Sequence, residues 1–412
     1  MFAIESPRLI SSLVRLVRDV GLAEELAQDA LVAALEQWPE TGVPEKPGAW
    51  LMATAKHRAI NLWRRTKLGA RKYEELGHEL GADLERAVLA LENAVDDDIG
   101  DDLLTLVFTA CHPVLPTEAR VALTLRLLGG LTTTEIARAF LLPESTVAQR
   151  IVRAKKTLAD ARVPFEVPRG AELAGRLASV LEVVYLVFNE GYSASSGDDL
   201  LRPALCEDAL RLGRILAELV PNEPEVHGLV ALMEINASRA AARTTPAGEP
   251  VLLLEQNRSR WDQLLIRRGL AALERAEALG GSRGPYALQA AITACHARAL
   301  VPEATDFEHI ATLYDELYRI RPSPVIAVNR AVAVGMARGP KAALALLDPL
   351  SSEPLLERYH FLPSARGEFL EKLGRFAEAS AEFERAAALA QNARQKERLL
   401  ERAATCNRKG AC

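Results

Sequence analysis

LTTTEIARAFLLPESTVAQRIVRAKKTL, residues 131–158, divides at a proline into two short helices. In the first, Ile136, Ala137 and Phe140 recur at a helical period. Thr132 to Thr134 offer an N-cap, and Glu135 puts a carboxylate in the first turn, where the helix dipole favours it. Leu142 precedes Pro143 and is pushed out of the helical region. A second helix begins at Glu144-Ser145-Thr146. Its inward stripe is Val147, Ile151, Ala154 and Leu158, at steps of four, three and four. At about 100° per residue the opposite face carries Ser145, Ala148, Gln149, Val152 and Arg153, flanked by Arg150, Lys155 and Lys156. Two helices joined by a tight turn, the second with a polar and basic outer face, are the pattern of a DNA-reading helix-turn-helix. An ordinary helical hairpin with a solvated charged face has the same periodicity, so the rest of the chain must decide.

The chain has 412 residues, enough for two or three domains. It is 49% apolar and 25% charged, so it can bury a core, while aromatics make up only 5%. Abundant Ala, Leu, Glu and Arg favour an all-α protein. The formal charge of −5 does not by itself suggest a nucleic-acid binder. The five cysteines, 111, 206, 295, 406 and 412, form no CxxC pair, which argues against a zinc site and a disulfide framework. No signal peptide and no long apolar run is visible, so a reduced, cytoplasmic protein with no membrane partner is expected.

Charge is segregated along the chain. Leu9, Leu13, Leu16, Val17 and Val20 make an amphipathic helix that Gly21 is expected to end. A second helix, from about Ala23 to Trp38, sets Leu26, Ala30, Ala34 and Trp38 on one stripe. Leu31 and Leu35 widen its apolar zone, while Glu24, Gln28, Asp29 and Glu36 read as polar. A turn-rich loop from Pro39 to Gly48 precedes a third helix, AWLMATAKHRAINLWRR, over 49–65. Between Lys46 and Tyr73 there are eight Lys/Arg and no acid, interleaved with Trp50, His57, Trp63 and Tyr73. Basic groups attract phosphate, and aromatic faces stack on unpaired bases. From Glu74 to Asp102 the balance reverses, to eleven acids against Arg86 alone. A solvated helix face and a flexible spacer would explain the two runs more blandly.

In this order the segments resemble a known family. GLAEELAQDALVAALEQW, the proline-rich loop and AWLMATAKHRAINLWRR look like region 2 of bacterial sigma factors of the extracytoplasmic-function class. FTACHPVLPTEARVALTLRLLGGLTTTEIARAFLLPESTVAQRIVRAKKTL looks like their region 4. The remainder, with LVFNEGYSAS, LCEDALRLGRIL, LLEQNRSRWD and PSPVIAVNRAVAV, resembles the long extension of one group of that class, in which a TPR-like helical domain follows the sigma regions. The implied organisation is region 2 over 1–73, an acidic linker over 74–102, region 4 over 103–162 and a TPR-like regulatory domain over 171–412.

The resemblance also implies roles. Gln28, Asp29, Leu31, Val32 and Leu35 would dock on core RNA polymerase. Lys56, His57, Asn61 and Arg64 would hold the melted strand of the −10 element. The family often has Asp where this chain has Asn61. On the recognition helix, Ser145, Thr146, Ala148, Gln149, Arg150, Val152 and Arg153 would face the −35 element of promoter DNA. Asp96, Asp97, Asp98, Asp101 and Asp102 would mimic nucleic-acid charge in the linker. The first helix starts within a few residues of Met1, a turn or more short of the family pattern.

Val163 to Gly170 carries Pro164 and Pro168 and reads as the boundary into the extension. Within it, Phe307, Pro340 and Phe376 recur at separations of 33 and 36, close to the ~34-residue TPR period. Such hairpin stacks form a concave surface for a protein or peptide partner. FNEGYSASSGDD, residues 188–199, reads as a helix-joining loop, with a ligand loop as its alternative. No HExxH, GxGxxG or Walker loop occurs, so neither a cofactor nor catalysis is expected. The function expected is promoter recognition as a dissociable polymerase subunit. The alternatives are a stand-alone helix-turn-helix regulator with a TPR sensor, and a scaffold built on the TPR surface. The basic-aromatic helix over 49–65 separates them, because a simple repressor does not need strand-capturing residues.

Overall fold

The computed structural model of the chain describes residues 2–70, 99–140, 142–192, 202–245, 249–390 and 392–410. Among these the regular structure is 18 helices, some short 3₁₀ turns and no strand. No helix of the described residues is long and apolar enough to cross a membrane. The chain divides into two compact units, residues 1–184 and 185–412.

The first unit opens with α1 (Phe2–Val17), α2 (Val20–Thr41) and α3 (Pro47–Ala70), each packed on the other two. Leu9, Leu13, Val20, Ala23, Ala27, Ala30, Ala34, Leu51, Ala55 and Ala59 form the interior. The stripe Leu26, Ala30, Ala34 and Trp38 is buried as its spacing predicts. Gly21 does not end α1. The break falls at Arg18, which has a φ of +51°, and Gly21 lies in the first turn of α2. Asp19 decides this, because its carboxylate accepts the Leu22 N–H at 2.8 Å and caps α2.

Four further helices follow: α4 (Ile99–Ala110), α5 (Thr117–Leu127), α6 (Thr133–Phe140) and α7 (Glu144–Asp160). Phe108, Leu123, Leu125, Leu127, Ile136, Val147, Ile151 and Leu158 are buried among them. Helix α8 (Ala171–Tyr192) begins in this unit. Arg176 donates to the Phe108 carbonyl at 3.0 Å and Ser179 to the Cys111 carbonyl at 2.6 Å, satisfying acceptors at the open end of α4. The Cys111 thiol is pushed up to about 11 by burial, so it is a packing group and not a nucleophile. Asp102 lies inside α4, 7% exposed and paired with Arg15 at 3.3 Å, so it does not belong to an extended acidic spacer. Asp96, Asp97 and Asp98, with residues 74–95 of the linker, lie outside the described residues, as does the Asp101 side chain.

The second unit continues with α9 (Pro203–Leu219), α10 (Pro224–Ala237), α11 (Gln263–Ala278), α12 (Pro285–Arg298), α13 (Phe307–Ile320) and α14 (Pro324–Arg338). It closes with α15 (Pro340–Leu347), α16 (Phe361–Lys372), α17 (Phe376–Leu389) and α18 (Ala393–Gly410). Phe307, Pro340 and Phe376 are the first residues of α13, α15 and α17. Each of those helices packs on the helix before it, so the anchors mark the second helix of three successive pairs. Gly335 admits the close approach, since a Cβ there would lie 2.5 Å from both Ala343 Cβ and Phe369 Cζ. Phe369, Phe383, Ala403 and Cys406 join in one buried cluster that α18 covers. The segment read as a loop from Phe188 is helical through Tyr192; residues 193–199 lie outside the described residues.

Candidate nucleic-acid and polymerase interface

The α6–turn–α7 unit is set by reciprocal capping. Thr132 Oγ1 accepts the Glu135 N–H at 3.2 Å, and Glu135 Oε2 accepts the Thr132 N–H at 2.7 Å. This capping box fixes where α6 starts. Ile136 and Ala137 are buried, and Phe140 is half-buried. In α7 the four inward positions, Val147, Ile151, Ala154 and Leu158, are all buried. Ser145, Gln149, Val152 and Arg153 are exposed, while Thr146, Ala148 and Arg150 are half-buried at the edges. Val152 keeps 65% of its surface open, unusual for a valine on a helix that has a core to join. A side chain of that kind in a helix-turn-helix can meet a thymine methyl, with Gln149 and Arg153 as donors to base edges.

On α2, Gln28, Asp29, Val32 and Leu35 are exposed and Leu31 is half-buried. Leu35 therefore does not widen the internal zone: it is 60% exposed, and Val32 is 49% exposed. These two aliphatic residues, three apart, form an apolar spot beside Asp29, which pairs with Arg58 of α3 at 3.1 Å. On α3, His57 and Asn61 are exposed and Lys56 is half-buried. The side chains of Trp63 and Arg64 lie outside the described residues. Trp38 and Trp50 meet edge to face at 5.5 Å and anchor the loop between α2 and α3.

Glu24 departs from the sequence reading. It is 4% exposed, not part of a solvated face. Arg126 of α5 donates to its Oε1 at 2.6 Å, Gln28 donates to the same oxygen at 2.7 Å, and Lys155 of α7 pairs with Oε2. Arg126 also reaches the Leu131 carbonyl at 3.2 Å, tying the clasp to the turn that precedes α6. One carboxylate thus joins α2 of the first three helices to α7, the second helix of the helix-turn-helix. Beside it, a cavity of about 490 Å³ is lined by Arg15, Arg18, Lys155 and Arg162 with Asp19 and Glu166. Nothing in the sequence around Glu24 flags this role, because its partners are 102 and 131 residues away.

Helices α1–α3 and α4–α7 match known families. Residues 1–68 match the family model of sigma-70 region 2, and residues 106–158 that of sigma-70 region 4. Residues 176–277 match a family of unknown function, DUF6596. An uncharacterized protein of Rhizobium meliloti (strain 1021) is 44% identical over 389 residues, covering 94% of this chain and 90% of that protein. No solved structure matches. The chain belongs to the sigma-70 family, as a sigma factor like those of the extracytoplasmic-function class with a C-terminal extension. It is a protein of promoter recognition, whose partners are RNA polymerase and promoter DNA.

Proposed function

We propose that this sigma factor reads its −35 element with the outer face of α7 and is regulated by its extension. The observation that carries the reading is the division of α7 into four buried apolar positions and an open face of Gln149, Val152 and Arg153. Arg153 donates to guanine and Gln149 to adenine in the major groove, and Val152 packs on a thymine methyl. Exposed Val32 and Leu35, with Gln28, Asp29 and Leu31, dock on core polymerase. Lys56, His57, Asn61 and Arg64 hold the opened −10 strand. The extension, with three helix pairs in register at Phe307, Pro340 and Phe376, acts as a TPR-like domain that binds a protein or peptide and governs the spacing of regions 2 and 4. The Glu24 clasp is the contact such control would act on, because Gln28 and Lys155 both converge on one carboxylate.

Binding of the holoenzyme to promoter fragments tests the recognition face. Replacing Arg153 with Ala should cost about 1–3 kcal/mol at one base position of the −35 element and leave thermal stability unchanged. Replacing Asn61 with Ala should impair open-complex formation more than binding of a −35 duplex. An Arg153→Ala holoenzyme with unchanged affinity and base preference would show that another surface reads the element.

A further inference from the structure

The second unit holds a group of buried nitrogens without hydrogen-bond partners: Arg239 Nε, Arg258 Nε, Trp261 Nε1 and His296 Nδ1. Elements far apart in sequence bring them together. Arg239 follows α10, Arg258 opens a 3₁₀ turn that Trp261 closes, and His296 lies in the last turn of α12. The Arg239 and Arg258 guanidiniums lie 5.8 Å and 5.1 Å from the centroid of the Trp261 ring. Arg258 Nη1 donates to the His296 carbonyl at 2.7 Å, fixing His296 against it. Arg258 is 9% exposed and Trp261 3%. All four nitrogens can donate, and among the described residues none has an acceptor.

Charge points the same way. Arg243 stands 3.7 Å over the Tyr192 ring, and Arg239 donates to the hydroxyl of that tyrosine. Three guanidiniums therefore share this part of the unit, and their bonds all go to neutral acceptors. Arg239 uses Tyr192 and Asn236, Arg243 uses the Tyr192 carbonyl, and Arg258 uses the His296 and Ala299 carbonyls and the Thr305 hydroxyl. Among the described residues no carboxylate bonds to any of the three. Elsewhere in the same unit Arg214 meets buried Glu234, and Arg202 meets Glu190. Glu303 acts on Arg258 through space without a hydrogen bond to it, so the stronger signal is the unpaired donors, because buried donors in native proteins are almost always paired. His296 is held down to about 4 chiefly by burial, with the nearby Arg239 and Arg258 adding to the effect.

We propose that this cluster binds a small oxyanion, the carboxylate or phosphate group of an acidic ligand, through Arg239, Arg258, Trp261 and His296. The guanidinium fork matches both groups bidentately, and the indole N–H and imidazole N–H supply further donors to a single anion. The site lies in the extension to which control of transcription is assigned above, but its occupancy does not depend on that assignment, since binding is measured without polymerase or DNA.

Calorimetric titration of the full chain with inorganic phosphate, and separately with acetate, at ionic strength fixed by chloride, tests the proposal. Saturable binding of at least one is expected, with a rise in melting temperature; the anion that binds identifies the group as phosphoryl or carboxyl. Arg239→Gln should weaken it at least about tenfold. Trp261→Phe keeps an aromatic ring beside the two guanidiniums but removes the indole N–H together with the pyrrole half of the ring; it should weaken binding severalfold, with helix content measured alongside to show that the chain still folds where Arg239→Gln folds poorly. No saturable binding of either anion, or equal affinity in the Trp261→Phe chain, overturns the site.

Discussion

Glu24 and Arg258 are both charged side chains with less than a tenth of their surface exposed, and their surroundings treat them in opposite ways. Around Glu24, two cations and an amide converge on one carboxylate, so the charge is closed within the first unit. Around Arg258, with Arg239 and Arg243 close by, neutral carbonyls and hydroxyls carry the bonds, and among the described residues no carboxylate bonds to the three guanidiniums, Glu303 acting on Arg258 only through space. The first arrangement holds elements of a fold together. The second keeps a folded unit receptive to something that brings negative charge. A closed clasp is tested by breaking it, and an open cluster by titrating it.

The largest effect is expected where the first unit is cut. A fragment ending at Pro168 loses Arg176 and Ser179, which bond to the end of α4, and buried Leu177 and Val180 with them. Such groups contribute roughly 1–3 kcal/mol each. The fragment 1–168 should therefore be less stable to urea than 1–184 by at least about 4 kcal/mol. Equal midpoints would show that α8 contributes nothing to region 4.

Breaking the clasp comes next. Glu24→Ala leaves Arg126 and Lys155 facing each other without their carboxylate. Both cations keep partial access to water, so the loss should sit at the low end for a broken buried pair, about 3 kcal/mol. In a double-mutant cycle, Lys155→Met should cost much less in the Glu24→Ala background than in the wild type. Additive losses would mean that Lys155 and Glu24 are neighbours without coupling.

A smaller effect should follow pH in the second unit. His296 has a folded-state value of about 4 against an ordinary 6.5. As pH falls through the ordinary value the unfolded chain takes up a proton and the folded chain does not, so stability drops across that window. The loss between about pH 6.5 and about pH 5 should approach 2 kcal/mol. His296→Phe should remove this part of the pH dependence and leave the rest. A wild-type chain with a flat profile over that interval would contradict the burial of His296 beside Arg239 and Arg258.

How much of this could be read from the sequence follows from the range of the interactions. The recognition helix was legible residue by residue, since Val147, Ile151, Ala154 and Leu158 obey a local period and the capping box spans only Thr132 to Glu135. The α1–α2 break was misplaced because a capping Asp19 outweighed the breaker Gly21 two residues later. Leu35 looks like core by period and is exposed, because the interior of the first three helices is filled by Ala30, Ala34 and Trp38 on the neighbouring stripe. Glu24 and the arginine cluster were not legible at all. Their partners lie far along the chain, and single Arg and Trp residues in loops, with one His at a helix end, carry no spacing signal. The three anchors of the extension gave the helix pairs but not what they enclose.

The central claim, that this chain is a sigma factor working through the α7 face, is tested most directly by run-off transcription. Purified core RNA polymerase would be given a promoter template with the wild-type chain, with Arg153→Ala, or with neither. Promoter-specific transcripts should appear only with the chain, and the Arg153→Ala protein should lower their yield about fivefold or more, in line with the loss of roughly 1–3 kcal/mol at one base. Core polymerase that initiates no differently with the chain present, while the chain alone binds the same duplex, would contradict the account and point to a stand-alone DNA-binding regulator.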